Sequence, residues 1–262
     1  MKGVSVVTDD YYKKLDPLDF SPWFVRKGKK DTFTSHDWNL PFPWISMFVY
    51  THMTATFPNY NGYEEPTPKI LQVGCAQGGD AVEIAKVLKL PMINGELHVV
   101  DWFKGNLTVS EEEEWFYREE NAPLWKEHLW NEAKKFDVDD IITVFEGDSR
   151  EVLPTLEDEY YDIVFIDGGH EYNIVKSDIE HGYKKLKKGG IMVLDDFSGG
   201  YGVYDRYDIG NIDESLLEKD THQFENGENI HVGVVKAVHE FFNGEYILIE
   251  SHDKVYTFKP RQ

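Results

Sequence analysis

Three aspartates and one histidine stand close together in the stretch 161–197: Asp167, His170, Asp195 and Asp196. Three gathered carboxylates repel one another unless a cation lies between them, so the group predicts a metal site. Oxygen ligands alone favour a hard ion, Mg²⁺ over Zn²⁺. His170, three residues after Asp167, is placed to act as a general base. Taken singly, an aspartate at a strand end is more often a cap or a solvated group, and His170 is equally compatible with a structural histidine.

The residues around these acids predict a strand–helix–strand unit. Asp167 follows the apolar run 163–166, and the other two aspartates follow the run 191–194. Between the runs, apolar residues recur at helical spacing: Tyr172, Val175, Ile179, Tyr183 and Leu186. Lysines and glycines at 187–190 are expected to close that helix. Both strands then run the same way, and the acids lie at their carboxyl ends, the edge where open α/β sheets bind ligands.

A glycine loop follows the predicted strand 69–73 and opens a predicted helix. Its glycines are Gly74, Gly78 and Gly79. Asp80 is expected to cap the helix, with Glu83 three residues later. A strand, a glycine loop and a helix N-terminus make an anion site typical of nucleotide pockets. The spacing is neither GxGxxG nor GxxxxGK[ST], which disfavours hydride or phosphate transfer.

Two further strand ends carry candidate binding residues. Asp101 ends the strand 96–100, where a carboxylate can accept hydrogen bonds from a ribose diol. Trp102 beside it is a candidate for stacking on adenine or for the core. Asp148 and Ser149 follow the strand 141–146, and Asp148 can accept from an adenine amino group or cap a short helix.

The chain reads as one α/β domain with an N-terminal extension. Residues 1–66 are rich in aromatic side chains and predict a cap with a helix or two; candidates for lining a pocket there are Trp38, Trp44, Tyr50 and His52. The core spans 67–262, with a helical insertion at 103–136. A helix at 232–242 and two strands at 246–250 and 254–259 close the sheet, the last one antiparallel.

The charge balance bounds the partners. Acidic residues outnumber basic ones, 48 to 27, for a net charge of −21, which disfavours nucleic acid and anionic membranes. The single cysteine excludes an internal disulfide and fits a reducing compartment. The sequence shows no apolar run of membrane-spanning length and does not open on a leader pattern. We therefore expect a cytoplasmic protein, and the sequence leaves open whether it forms a homo-oligomer.

Together these motifs resemble those of class I S-adenosylmethionine (SAM)-dependent methyltransferases, over roughly 69–197. The resemblance implies a Rossmann-like, doubly wound, mostly parallel seven-stranded sheet with an antiparallel terminal strand. It also implies three sets of SAM contacts. The glycine loop contributes Gly74, Cys75, Ala76, Gly78 and Gly79. Asp101 with Trp102 lies at the ribose and its neighbouring base, and Asp148 with Ser149 lies at the adenine edge.

Within that class the D-G-G-H…D-D pattern resembles the metal-dependent sugar O-methyltransferases of the macrocin and mycinamicin type. That likeness implies Asp167, Asp195 and Asp196 as Mg²⁺ ligands, with Asp167 also at the catalytic centre, and His170 as the base. It predicts a hydroxylated acceptor such as a sugar. Two alternatives stay open: a cephalosporin-hydroxylase-like protein using iron and 2-oxoglutarate, and a non-catalytic SAM-binding partner module.

Overall fold

The computed structural model describes residues 45, 48–49, 67–91, 93–105, 122–249 and 253–260. The N-terminal cap with its aromatic pocket candidates, and residues 106–121 of the predicted insertion, lie outside the described residues. Of the early segment, Ile45, Phe48 and Val49 are buried against the core of the sheet.

Seven strands form one sheet, and two short strands form a separate hairpin. The sheet strands are β1 (Lys69–Val73), β2 (Glu96–Asp101), β3 (Ile142–Glu146), β4 (Tyr161–Ile166), β5 (Leu186–Leu194), β8 (Ile247–Ile249) and β9 (Lys254–Phe258). The hairpin pairs β6 (His222–Gln223) with β7 (Asn229–Ile230). The sheet order is β3-β2-β1-β4-β5-β9-β8, with β1 to β5 parallel and β9 antiparallel to both neighbours. The predicted fold class is confirmed.

Six α-helices are described: α1 (Gly79–Leu88), α2 (Ala122–Lys135), α3 (Ser149–Val152), α4 (Tyr172–Lys185), α5 (Val203–Arg206) and α6 (Val232–Phe242). The strands are continuous apolar runs because both faces of the sheet are covered. Phe165 and Val193 face the core that includes α1 and α2, whereas Val164 and Leu194 face the core that includes α4 and α6. The strand order reverses at β1/β4, the point where doubly wound sheets bind ligands.

The boundary between α4 and β5 differs from the prediction. The helix ends at Lys185, and Leu186 already pairs with Tyr161 in the sheet. The Lys-Lys-Gly-Gly segment is not a helix terminus but an irregular first part of β5, whose Gly189 N–H donates to the Lys259 carbonyl at 2.9 Å. Pairing with a distant strand overrides the local end-of-helix pattern.

Among the residues that the structure describes, no helix is both long and apolar enough to cross a membrane.

Candidate active site

The loop between β1 and α1 lies directly against the end of β4. Gly74 has a φ of +80°, and a Cβ built on it would lie 1.9 Å from the carbonyl oxygen of Asp167. Only glycine permits such an approach. The Gly74 N–H donates to the carbonyl of Val100 at 2.8 Å, which ties the same loop to β2. The predicted cofactor loop and the first predicted metal ligand are therefore neighbours.

The predicted cap at Asp80 is wrong. Gly78 occupies the N-cap position of α1, with Gly79 as the first helical residue, and no side chain caps the helix. Asp80 falls in the first turn instead, where it is 6% exposed. Its charge is one of the causes that raise the pKa of Asp167, so Asp80 adds to the negative potential of the acid group.

Asp101 fixes the shape of the cofactor loop. Its Oδ2 accepts from the backbone N–H groups of Cys75 at 2.7 Å and Ala76 at 3.0 Å, and its Oδ1 accepts from Phe103 N–H at 2.7 Å. Burial raises the pKa of Asp101, while these N–H donors act in the opposite direction. The carboxylate thus bridges the end of β2 and the loop after β1, where the resemblance expects a ribose.

The residues predicted at the adenine edge have local partners. Asp148 is the N-cap of α3, accepts from the backbone N–H of Arg150 at 2.9 Å, and forms an ion pair with that arginine's guanidinium. Burial raises the pKa of the neighbouring Asp178 to about 7, and Ser149 acts in the opposite direction. Trp102 is half-buried, and its indole N–H donates to the Gly105 carbonyl at 2.9 Å. Of the two roles left open for Asp148, the capping contact is present.

The three predicted metal ligands lie at the adjoining ends of β4 and β5. Asp167 N–H donates to the Val73 carbonyl, and Asp195 N–H to the Ile166 carbonyl, which continue the sheet pairing. Burial raises the pKa of Asp167 well above its ordinary value, and the charges of Asp195 and Asp196 raise it further. Asp196 has a φ of +57°, a conformation uncommon outside glycine and often found at functional sites.

A buried lysine neutralises one of these acids. Lys254 Nζ lies 2.7 Å from Asp195 Oδ1, and both side chains are only 3% exposed. Val255 pairs with Leu194 across β9 and β5, so the register of the sheet delivers the lysine to the aspartate. The sequence analysis missed Lys254. A charged residue opening an otherwise apolar terminal strand was the available signal.

His170 bridges two carboxylates. Its Nε2 lies 2.9 Å from Asp196 Oδ2, and its Nδ1 lies 2.7 Å from Asp220 Oδ1. Burial lowers the pKa of His170, but the charges and hydrogen bonds of the two carboxylates outweigh it and raise the pKa well above its usual range. Asp220 was not predicted from the sequence.

A second histidine faces the first. The rings of His231 and His170 meet edge to face, with centroids 4.3 Å apart. His231 Nδ1 lies 2.9 Å from the Asp220 carbonyl oxygen, and its Nε2 lies 3.9 Å from Asp196 Oδ1. Burial and the neighbouring His170 lower the pKa of His231. His231 directly precedes α6 and was not predicted from the sequence.

Close packing of α6 against the loop before α4 brings these histidines together. A Cβ on Gly233 would lie 2.3 Å from the His170 carbonyl oxygen and 2.5 Å from the Tyr172 nitrogen. Within the described part of the chain, one set of three side chains brings its ligand atoms within 4.8 Å of one another: His170, Asp196 and His231. Two predicted residues are in this set, while Asp167 and Asp195 are outside it.

Residues 71–197 match the family described as "Methyltransferase domain". This range contains the end of β1, all of β2 to β5, the glycine loop, Asp101 and the three strand-end acids. This part of the chain is therefore similar to a methyltransferase domain, and the prediction of an enzyme of this class is confirmed.

Solved structures show the same fold at low sequence identity. The O-methyltransferase TomG from Streptomyces achromogenes, described as involved in tomaymycin synthesis and in complex with SAM, is 14% identical, with a TM-score of 0.52 over 83% of this chain and 78% of that chain. The O-methyltransferase NovP is 16% identical, with a TM-score of 0.52 over 82% and 79%. Cofactor-bound Rv0187 from MTB is 13% identical, with a TM-score of 0.50 over 84% and 79%. No curated protein matches the sequence.

Proposed function

We propose that this chain is a SAM-dependent O-methyltransferase that methylates a hydroxyl group of a small molecule with the help of a divalent cation. The observation that carries the proposal is the contact of Gly74 with the Asp167 carbonyl, which sets the cofactor loop beside the acids and His170. The methyltransferase-domain match covers both features. TomG and NovP, both described as O-methyltransferases, support the same reaction class.

The proposed SAM site runs along the carboxyl ends of β1, β2 and β3. The loop presents backbone groups to the methionine and ribose parts of the cofactor, from Gly74, Cys75, Ala76, Gly78 and Gly79. Asp101 is the proposed ribose acid, Trp102 the adenine-stacking residue, and Asp148 with Ser149 the adenine edge. SAM supplies an electrophilic methyl group on a sulfonium, so the task of the protein is in-line positioning.

The acid group suits a hard cation. Asp167, Asp195 and Asp196 are the proposed ligands. Burial raises the pKa of Asp167, the charges of the other two aspartates raise it further, and Lys254 pairs with Asp195. A divalent cation there would act as a Lewis acid that lowers the pKa of the acceptor hydroxyl. Oxygen ligands favour Mg²⁺. Asp195 would then hold the cation in place of its ion pair with Lys254.

His170 is the proposed base for the acceptor proton. As a ligand of the cation, Asp196 would no longer pair with Nε2, which removes one of the charges that raise the pKa of His170. The hydroxyl oxygen forms the new bond to the methyl carbon as the carbon–sulfur bond breaks, and the hydroxyl proton passes to Nε2. Asp220 holds Nδ1 on the other side of the ring, which fixes the orientation of the imidazole. A general base of this kind contributes roughly 10²–10⁴-fold in rate.

The proposed acceptor is a sugar or similar polyol in the cytoplasm, because a vicinal diol chelates a cation through two oxygens. The test is transfer of a labelled methyl group from SAM to a panel of sugars, polyols and catechols, with Mg²⁺ or with EDTA. We expect Mg²⁺-dependent labelling of a hydroxylated compound, lost in His170→Asn and retained in His239→Asn, whose ring stacks on Tyr204 instead. Label found only on protein or nucleic acid would contradict the proposal.

One observation favours a second candidate. Two imidazoles and one carboxylate are the donor set of non-haem iron(II) oxygenases, and His170, His231 and Asp196 provide it. That reading corresponds to a cephalosporin-hydroxylase-like activity. It predicts consumption of 2-oxoglutarate with Fe²⁺ and O₂, stimulated by the substrate; Fe²⁺-independent methyl transfer without such consumption decides against it.

A further inference from the structure

We propose that His170, Asp196 and His231 form a binding site for a borderline transition metal ion of the Zn²⁺ or Co²⁺ class. This site differs in its ligands from the all-oxygen site proposed for Mg²⁺ and shares only Asp196 with it. A metal ion bound here occupies the Nε2 lone pair of His170, which the proposed base needs. Mg²⁺ at the all-oxygen site therefore supports methyl transfer, whereas Zn²⁺ or Co²⁺ at this site inhibits it. The expected inhibition of methyl transfer rests on the proposed function, whereas the expected binding of the metal ion does not.

The distances between the three donors fit one metal ion. With metal–ligand bonds of about 2.1 Å, neighbouring ligands of an octahedron lie about 3.0 Å apart and opposite ligands about 4.2 Å apart. His170 Nε2 lies 2.9 Å from Asp196 Oδ2, and His231 Nε2 lies 3.9 Å from Asp196 Oδ1. The three donor atoms lie within 4.8 Å of one another, so a single ion reaches all three after small side-chain rotations bring them closer together. Three protein ligands leave positions for water or a small ligand.

Both histidines have the partner that metal-binding histidines need on their other nitrogen. Asp220 supplies it twice: its carboxylate lies 2.7 Å from His170 Nδ1, and its backbone carbonyl lies 2.9 Å from His231 Nδ1. The carbonyl accepts only, so His231 Nδ1 carries the proton there and Nε2 presents a lone pair toward Asp196. Such outer contacts fix the tautomer and raise the basicity of the ligand. They form a second observation, independent of the convergence of the three donors.

The backbone around the site is held from several elements. The His231 N–H donates to the hydroxyl of Ser198 at 2.8 Å, two residues after Asp196. The Tyr172 N–H donates to the Leu217 carbonyl at 2.9 Å, which ties the His170 loop to the segment that carries Asp220. The donors are thus preorganised before any ion binds, which reduces the cost of assembling the site.

The ligand chemistry decides which ions bind. Imidazole suits zinc, copper, iron and nickel, whereas Mg²⁺ prefers oxygen ligands and retains its waters. A site of two imidazoles and one carboxylate is also the ligand set of catalytic zinc enzymes. We therefore expect Co²⁺ and Zn²⁺ to bind here far more tightly than Mg²⁺, in the order that divalent metals follow at nitrogen sites.

The direct test is a titration of metal-free protein with Co²⁺, followed by visible absorption and calorimetry. We expect one Co²⁺ per chain with d–d bands that report nitrogen ligands, displaced by Zn²⁺ and not by millimolar Mg²⁺. His231→Gln should weaken binding at least 10-fold, and Asp220→Asn should weaken it by roughly 10–100-fold, the usual effect of removing an outer partner. His239→Gln is the matched control and should bind Co²⁺ like the parent chain.

Three results would overturn the proposal: no Co²⁺ binding, binding that His231→Gln and Asp220→Asn both leave unchanged, or displacement by Mg²⁺ alone. Circular dichroism checks that each variant is folded, and the two variants lie on different segments, so failure of one to fold leaves the other decisive.

A second measurement adds Zn²⁺ to the Mg²⁺-supported methyl transfer. Inhibition that disappears in His231→Gln supports the opposed roles. If the protein shows no methyl transfer, the proposed function is contradicted. The Co²⁺ titration then still tests the metal site on its own.

Discussion

The site has two sides that are built in different ways. The proposed cofactor side consists of the glycine loop and Asp101, and the acid–histidine side consists of the strand-end aspartates, His170 and their partners. On the cofactor side, backbone groups do most of the work: Asp101 accepts three N–H hydrogen bonds, two of them from the glycine loop. On the other side, side chains contact side chains from distant segments, as in the pairs His170–Asp220 and Asp195–Lys254. A backbone-built site depends on where the chain can turn, whereas a side-chain-built site depends on charge and on the register of distant elements.

Replacing Gly74 with alanine should have the largest effect, because it affects the joint between the two sides. The new Cβ would lie 1.9 Å from the Asp167 carbonyl oxygen. We expect a loss of about 4–5 kcal/mol or more in the free energy of unfolding, measured by urea denaturation. Gly227→Ala is the matched control: its φ of +87° is similar, but no atom lies within 4 Å of the new Cβ. It should cost only about 1–2 kcal/mol; equal losses in the two variants would remove the close-contact argument.

Replacing Lys254 with methionine breaks the acid side alone. It leaves Asp195 buried without its cation, so we expect a loss of about 3–5 kcal/mol in the same unfolding measurement. The double variant Asp195→Leu/Lys254→Met should recover most of that loss, because a well-packed apolar pair replaces a buried ion pair at little cost. Exposed ion pairs contribute up to about 1 kcal/mol. If Lys254→Met lowers the free energy of unfolding by less than that, the pair is solvated and the assigned burial is contradicted.

Asp178 lies between the two sides and should make stability depend on pH. Burial raises its pKa to about 7. A carboxyl group whose pKa is raised on folding is protonated more readily in the folded state than in the unfolded state. It therefore lowers the free energy of unfolding as the pH rises from about 4 to about 7. Below this range it has no effect, and above it the loss is constant. Asp178→Asn should therefore raise the melting temperature at pH 8 by several degrees, with the gain shrinking toward pH 5. A gain that is constant across this range would contradict the assigned pKa shift.

The sequence predicted the side that is local in the chain better than the side that is not. The strand 69–73, the glycine loop and Asp101 follow one another within a single supersecondary unit, so spacing and apolar runs suffice. The cap at Asp80 failed because a turn at Gly78 starts the helix earlier. Lys254, Asp220 and His231 were missed for another reason. Each reaches the site through packing or pairing of separate elements, such as β9 on β5, that no local pattern encodes.

The most direct test of the central claim is a calorimetric titration of the purified protein with SAM, in Mg²⁺ and again in EDTA. We expect binding of one SAM per chain with a micromolar Kd, weakened at least 10-fold in Asp101→Asn because the loop loses the carboxylate that holds it. We also expect that EDTA changes acceptor methylation more than SAM affinity, since the cation belongs to the other side of the site. Absence of SAM binding in both buffers, with the protein folded, would contradict the methyltransferase assignment.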